Sequence, residues 1–267
     1  MSEEIKDMVR AKYNQIALQS DKENKSTCCG SSSCCDHEDY TIMSDEYSHL
    51  EGYHEDADLK LGCGLPTEYA GISEGNTVVD LGSGAGNDAF VVRSIVGEKG
   101  KVIGIDFAGA MITKARENAR KLGFANVSFL KGDIENMPLE ASVADVLISN
   151  CVLNLVPDKP RAFKEMYRVL KNGGHFCVSD IVLVGELPDE LIEEAEMYAG
   201  CIASAIQKDD YLNFIRNAGF SKVEIKKTKD IILPAGMLLK YLSLEALEDF
   251  KNSKNGIYSI TVVGYKQ

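Results

Sequence analysis

The sequence predicts an α/β fold: a mainly parallel sheet with helices on both faces and an antiparallel pair at one edge. Three observations predict it. The apolar run Val78-Val79-Asp80-Leu81 ends in Gly82-Ser83-Gly84-Ala85-Gly86, after which Asn87-Asp88 opens a helical pattern. This is the signature of a buried parallel strand entering a tight turn and a helix start. Twenty residues past Gly86, a second apolar run, Val102-Ile103-Gly104-Ile105, ends in Asp106. From Thr77 to Asp180, strand-like and helix-like patterns alternate, which specifies parallel strands joined by crossover helices.

Taken in order, residues 3–19 predict a helix whose apolar face holds Ile5, Met8, Val9, Ala11, Tyr13, Ile16 and Ala17. Residues 20–45 are a polar, low-complexity stretch that carries the vicinal pairs Cys28-Cys29 and Cys34-Cys35. Residues 46–76 read as irregular, with a turn at Gly62-Cys63-Gly64-Leu65-Pro66. Strand 77–82 then precedes a helix at 87–97, and strand 101–106 a helix at 109–122. Asn126–Lys131 and Ala144–Ser149 read as the third and fourth strands, followed by a helix at 159–171 ended by Asn172-Gly173-Gly174. His175–Asp180 reads as the fifth strand. An acidic amphipathic helix, Glu186–Ala199, interrupts the alternation and runs into Gly200-Cys201. Helices at Lys208–Ala218 and Met237–Phe250, and strands at Val223–Thr228 and Ile257–Tyr265, complete the chain; the two strands form the antiparallel edge pair. The organisation predicted is an N-terminal helix and cysteine-rich segment at 1–76, a cofactor-binding core at 77–182, and a lid-like helix with the rest of the sheet at 183–267.

In such sheets ligands bind at the carboxyl ends of the strands, where Asp80, Asp106, Asp133 and Asn150 all fall. The glycine pattern is G-x-G-x-G, not the G-x-G-x-x-G of dinucleotide enzymes, and an acid precedes it. Asp80 would repel phosphates but favour a sulfonium and an α-amino group, so the predicted cofactor is S-adenosylmethionine. Gly82 and Gly84, with Asn87 at the helix start, let the backbone approach it closely. Asp106 has the offset of a ribose ligand, Phe107 and Met111 are placed to wall an adenine, and Asp133-Ile134 to meet its edge by a carboxylate and a backbone amide.

Composition narrows the function classes. The 267 residues hold 29 basic and 41 acidic side chains, a net charge of −12. That charge opposes a nucleic-acid partner or an anionic membrane surface. No apolar run is long enough to span a bilayer. Met1-Ser2-Glu3-Glu4 lacks the basic and apolar regions of a signal peptide, so the reading is a cytoplasmic protein whose eight cysteines are mostly reduced. Eight reduced thiols in an enzyme call for metal, metalloid or redox chemistry.

The cysteines are dispersed. Cys63 lies between glycines in a loop, Cys151 follows the fourth strand at the ligand edge, and Cys201 ends the inserted helix. Cys177, mid-strand, reads as a small core hydrophobe. No C-x-x-C is present, so a zinc ribbon is excluded. The Cys28/Cys29/Cys34/Cys35 cluster suits thiol exchange or capture of a thiophilic ion; incidental cysteines in a flexible segment are the alternative.

The glycine turn Val79–Asp88, Gly104-Ile105-Asp106, and Ser149-Asn150-Cys151-Val152-Leu153-Asn154-Leu155 together resemble the arsenite S-adenosylmethionine methyltransferases. Gly62-Cys63-Gly64-Leu65-Pro66 and the Cys28/Cys29 cluster resemble further signatures of that family, over about residues 25–205. The resemblance implies a Rossmann-like class I methyltransferase fold and makes Cys63, Cys151 and Cys201 the arsenic-binding thiols, with Cys28, Cys29, Cys34 and Cys35 as additional ones. Trivalent arsenic is soft and prefers thiolates. Held by three of them, its lone pair attacks the sulfonium methyl in line, and no general base is required. Trivalent arsenic, carried as a thiol conjugate, and a reductant such as glutathione or thioredoxin are the implied partners. The alternatives are a class I methyltransferase of a small organic metabolite and a non-enzymatic, thiol-rich metalloid-binding protein.

Overall fold

The computed structural model describes residues 2–18, 45–186, 202, 205–232, 238, 239, 243, 248, 253 and 255–267, with side chains from residue 6. The vicinal cysteines, Cys201, the helix predicted at Glu186–Ala199 and most of that at Met237–Phe250 lie outside the described residues.

A seven-stranded sheet organises the chain, in the order β3-β2-β1-β4-β5-β7-β6. Its strands are β1 (Thr77–Leu81), β2 (Lys101–Asp106), β3 (Val127–Lys131), β4 (Ala144–Asn150), β5 (Leu170–Val184), β6 (Ser221–Asp230) and β7 (Gly256–Tyr265). The first five run parallel, while β7 pairs antiparallel with both β5 and β6. The helices are α1 (Ser2–Leu18), α2 (Pro66–Tyr69), α3 (Asn87–Val96), α4 (Gly109–Lys121), α5 (Lys159–Val169) and α6 (Lys208–Asn217). Short 3-10 turns at Glu55–Ala57 and Leu153–Leu155 complete the described elements.

Strand residues alternate between two apolar layers, as the period of two requires. Val79, Leu81, Ile103, Ile105 and Leu147 pack with Phe163 of α5 and Tyr211 and Ile215 of α6. Val78, Val102, Val146, Ile148 and Cys177 pack with Phe90 and Val92 of α3 and Ile112 and Ala115 of α4. Both faces of the sheet are therefore covered, which is why its central strands read as near-continuous apolar runs. β1 lies between β2 and β4, so the chain winds outward in both directions from there and opens a crevice at the carboxyl ends.

Two elements differ from the sequence reading. The helix expected to reach 171 ends at Val169, and β5 begins at Leu170 rather than His175. The β4 partner shifts from Leu170 to His175 across one step of β4, so Asn172-Gly173-Gly174 sits in a bulge instead of a helix cap. β5 also continues to Val184, because β7 pairs with it from His175 to the end. Helix α1 packs on the core: Ile16 and Ala17 lie against Ala108 and Met111, and Asn14 Oδ1 accepts the Ala110 N–H at 2.9 Å.

Candidate active site

The β1–α3 turn builds the floor. Gly82 N–H and Ser83 N–H both donate to Ile105 O, at 2.7 and 3.0 Å, which clamps the turn to the end of β2. Gly82 has φ +69, and a Cβ there would lie 2.3 Å from Val152 Cγ2. Gly84 has φ +52, and the space a Cβ would enter is open. The first glycine admits a neighbouring side chain and the second leaves room for a ligand. Asp106 ties turn and strand together: its Oδ2 accepts Gly84 N–H at 3.0 Å and its Oδ1 accepts Ala108 N–H at 2.8 Å.

Above this floor opens a cleft. Asp80, Gly82, Gly84, Asn87, Asp106, Phe107, Met111, Asp133, Ile134 and Asn150 all line it, and so does Cys151. The cofactor residues singled out from spacing therefore converge on one cavity. The lining also includes residues that the sequence reading passed over: Lys6, Val9 and Tyr13 from α1, Tyr47, and Asp88. Asp88 stood in the helix-opening pair and could have been found as a second acid facing the strand ends. Tyr47 and Lys6 carry no local signal, since only the tertiary fold brings them there.

The walls are acidic. Burial pushes the Asp80 carboxyl well above the usual carboxylate range, with Asp88 and Asp106 as like-charged neighbours. Burial raises Asp88 to about 6, against hydrogen bonds from Asn150 and Tyr47 that favour its ionised form. Asp106 is raised to about 6, again chiefly by burial, against the backbone N–H groups of Ala108 and Gly84. Asp80 Oδ2, Ser83 Oγ and Asn87 Oδ1 are buried and make no hydrogen bond among the described residues. Buried polar atoms without partners carry a desolvation cost that a suitable ligand removes. Unsatisfied acceptors between crowded carboxylates suit a cationic ligand rich in donors, and the chemistry of S-adenosylmethionine fits them: a sulfonium, an ammonium and ribose hydroxyls.

At the other wall stand Cys151 and the loop that carries Cys63. Cys151 closes β4 at φ +59, a left-handed conformation unusual for a side chain other than glycine, and its N–H donates to Ser179 O at 2.7 Å. Cys63 N–H donates to Asn150 Oδ1 at 3.0 Å, and Cys63 O accepts from Ser259 Oγ at 2.6 Å. Cys63 and Cys151 are buried. Cys151 faces the cleft directly; of the Cys63 loop, Gly62 lines it. Cys177 packs in the core, where burial pushes its thiol up to about 12, as its mid-strand place predicts. Among the described residues no group of three or more His, Cys, Asp or Glu side chains is arranged to hold a metal ion, Cys201 lying outside them. No described helix is long and apolar enough to cross a membrane.

Residues 72–219 match a family described as a methyltransferase domain. The chain is 39% identical over 235 residues to an arsenite methyltransferase of Halobacterium salinarum, covering 84% of this chain and 59% of that one. A human arsenite methyltransferase is 37% identical over 183 residues, 64% of this chain and 48% of that one. Among solved structures, an arsenic(III) S-adenosylmethionine methyltransferase from Chlamydomonas reinhardtii superposes with a TM-score of 0.62 at 35% identity, over 77% of this chain and 67% of that one. The chain belongs to the arsenite S-adenosylmethionine methyltransferase family. Its sheet and its glycine turn are those of a class I methyltransferase, and S-adenosylmethionine is the cofactor of that family. The chain spans 59% of the Halobacterium relative and 48% of the human one.

Proposed function

We propose that this member of the arsenite methyltransferase family moves a methyl group from S-adenosylmethionine to trivalent arsenic held by Cys63, Cys151 and Cys201. One observation carries the reading. The Cys63 loop is hydrogen-bonded to Asn150, the residue before Cys151, at the wall of an acid-lined donor cleft. Two cysteine-bearing segments far apart in sequence are thus joined beside that cleft, which supports the reading.

The cofactor supplies an electrophilic methyl on a positive sulfur. Asp80, with Asp88 beside it, offers that charge and the ammonium a negative wall. Asp106, positioned by Gly84 and Ala108, holds the ribose hydroxyls on its remaining lone pairs. Phe107 and Met111 flank the adenine, and Asp133 and Ile134 meet its edge. Cys63 and Cys151 bind the substrate as thiolates, which soft trivalent arsenic prefers to oxygen or imidazole. Cys201 supplies the third sulfur, and its neighbour Ile202 is buried against the body of the protein. The arsenic lone pair is the nucleophile, so no side chain needs to remove a proton in the transfer itself. What the protein supplies is alignment, which contributes roughly 7–11 kcal/mol when reacting atoms are well oriented. The three-thiolate arsenic is neutral, so the positive charge passes from sulfur to arsenic in the transfer; excluding water protects the arsenic–sulfur bonds from hydrolysis, and α1 covers the cleft for that purpose with Lys6, Val9 and Tyr13. Cys28, Cys29, Cys34 and Cys35 would receive and exchange the ion before it reaches the site, with glutathione or a thioredoxin-type protein restoring the thiols.

The test is transfer of labelled methyl from S-adenosylmethionine by purified protein with a thiol reductant, with and without arsenite. Arsenite-dependent label in arsenic species, absent in Cys151→Ser, supports the reading. Arsenite binding with no turnover would make the protein a sequestering one, and turnover without arsenite on an organic acceptor would replace the substrate.

A further inference from the structure

We propose that Asn150 is the positioning residue that sets Cys63 in place beside Cys151, a role that rests on the arsenic reading above. Four groups bond to its amide: Cys63 N–H, Gly64 O, Tyr47 Oη and Asp88 Oδ2. Its Oδ1 accepts the Cys63 N–H at 3.0 Å. Its Nδ2 donates to Gly64 O at 2.8 Å and to Tyr47 Oη at 2.6 Å. Tyr47 Oη in turn donates to Asp88 Oδ1 at 2.9 Å. Asn150 Nδ2 also lies 3.2 Å from Asp88 Oδ2, and Tyr47 Oη 3.2 Å from Gly64 O, so amide, phenol, carboxylate and loop carbonyl form one satisfied network.

The flanking glycines show how closely the loop is held. A Cβ on Gly62 would lie 2.6 Å from Asn150 Nδ2, and one on Gly64 2.5 Å from Ser179 Oγ. Neither glycine has a positive φ, so what they provide is close approach. The loop nests between the side chain of Asn150 and that of Ser179, and Ser179 O is also the acceptor for Cys151 N–H. Asn150 and Ser179 are register partners on β4 and β5. One rung of the sheet therefore sets the backbone of both thiols: Asn150 holds Cys63 from the side chain, and Ser179 holds Cys151 from the main chain. Directly and through Tyr47, the same amide is linked to Asp88 at the donor wall, so the substrate thiols and the donor site share a single hydrogen-bonded frame.

The probe is phenylarsine oxide, which two thiols capture with two As–S bonds formed, two S–H bonds broken and the oxygen released as water. Titration is done on the full chain with Cys28, Cys29, Cys34 and Cys35 replaced by serine, so that the site thiols report. In that background Asn150→Ala and Gly62→Ala approach the same contact from opposite sides. Both are expected to weaken phenylarsine oxide about tenfold and S-adenosylhomocysteine by a smaller factor, since Asn150 also donates to Asp88 at the donor wall. With arsenite as substrate, the KM for arsenite rises by a larger factor than the KM for S-adenosylmethionine. Tyr47→Phe keeps both Asn150 bonds to the Cys63 loop, losing only the longer Tyr47 Oη donation to Gly64 O at 3.2 Å, and is expected to have the smaller effect on the arsenical; it remains readable if Asn150→Ala does not fold. Unchanged arsenical affinity in both Asn150→Ala and Gly62→Ala overturns the assignment, as does equal weakening of arsenical and S-adenosylhomocysteine. If Cys63→Ser and Cys151→Ser themselves leave the arsenical bound as before, the arsenic reading falls and this role falls with it.

Discussion

Lys6 on α1 and Asp133 at the end of β3 form an ion pair across 127 positions of sequence, with Nζ 2.7 Å from Oδ2. The same ammonium reaches Glu135, a buried carboxylate whose other oxygen accepts the Asp158 N–H at the start of α5. The first helix is thereby fastened over the adenine end of the cleft, with Lys6, Val9 and Tyr13 turned into it.

Lys6→Ala should loosen that cover. It leaves Glu135 buried without its cation, a loss of about 1–3 kcal/mol for hydrogen bonds to a charged group. S-adenosylhomocysteine should leave about tenfold faster in stopped-flow displacement. An unchanged release rate would mean that α1 does not guard the cofactor.

Cofactor affinity should rise with pH through about 6, the value to which Asp88 and Asp106 are each pushed. Burial is the chief cause, so these acids hold protons that a cationic ligand must displace. Below that pH they are neutral and bind it weakly; above it they are charged. Binding should therefore release protons near pH 6, read as a buffer-dependent heat in calorimetry. Binding that is flat with pH would place the positive groups of the cofactor elsewhere.

Stability without ligand should follow the opposite course. A carboxyl with a raised folded-state pKa keeps its proton in the native state where the unfolded chain has lost it. Unfolding then releases protons, and stability falls as pH rises from about 4 through the folded values. Asp80, Asp88 and Asp106 contribute, and so does Asp180, raised to about 7 chiefly by burial against hydrogen bonds from Tyr211 and Asn154. Asp45 and Asp145 are held low, their lysine partners outweighing burial, and act only below about pH 4. The melting temperature should therefore be lower at pH 7.5 than at pH 5.5, and Asp80→Asn should raise it at pH 7.5 while weakening the cofactor. A lower melting temperature for Asp80→Asn would contradict this.

The cysteines should separate by function. Cys63→Ser and Cys151→Ser should abolish arsenite methylation with S-adenosylhomocysteine affinity intact. Cys177→Ala should keep turnover and lose about 1 kcal/mol of stability by denaturant titration, because it empties a small core position. Full turnover in Cys151→Ser would remove the thiol mechanism.

By itself the sequence determined the alternating sheet, the glycine turn and the acids at the strand ends. Asp80, Asp106 and Asp133 were legible because local periodicity locates strand ends, and strand ends locate the crevice. The same logic separated Cys151 at an edge from Cys177 inside a strand. Where β5 starts was not legible: Asn172-Gly173-Gly174 suits a helix cap and a bulge equally, and pairing with β4 and β7 decided between them. Nor could the sequence show Lys6 over the cleft, Tyr47 beside Asp88, or the Cys63 loop clipped to Asn150. Each joins segments separated by 41 to 127 residues, and nothing local encodes such a meeting. Chain packing brings these groups together, and only there do burial and hydrogen bonding decide which ones act on the ligand and which hold the others in place.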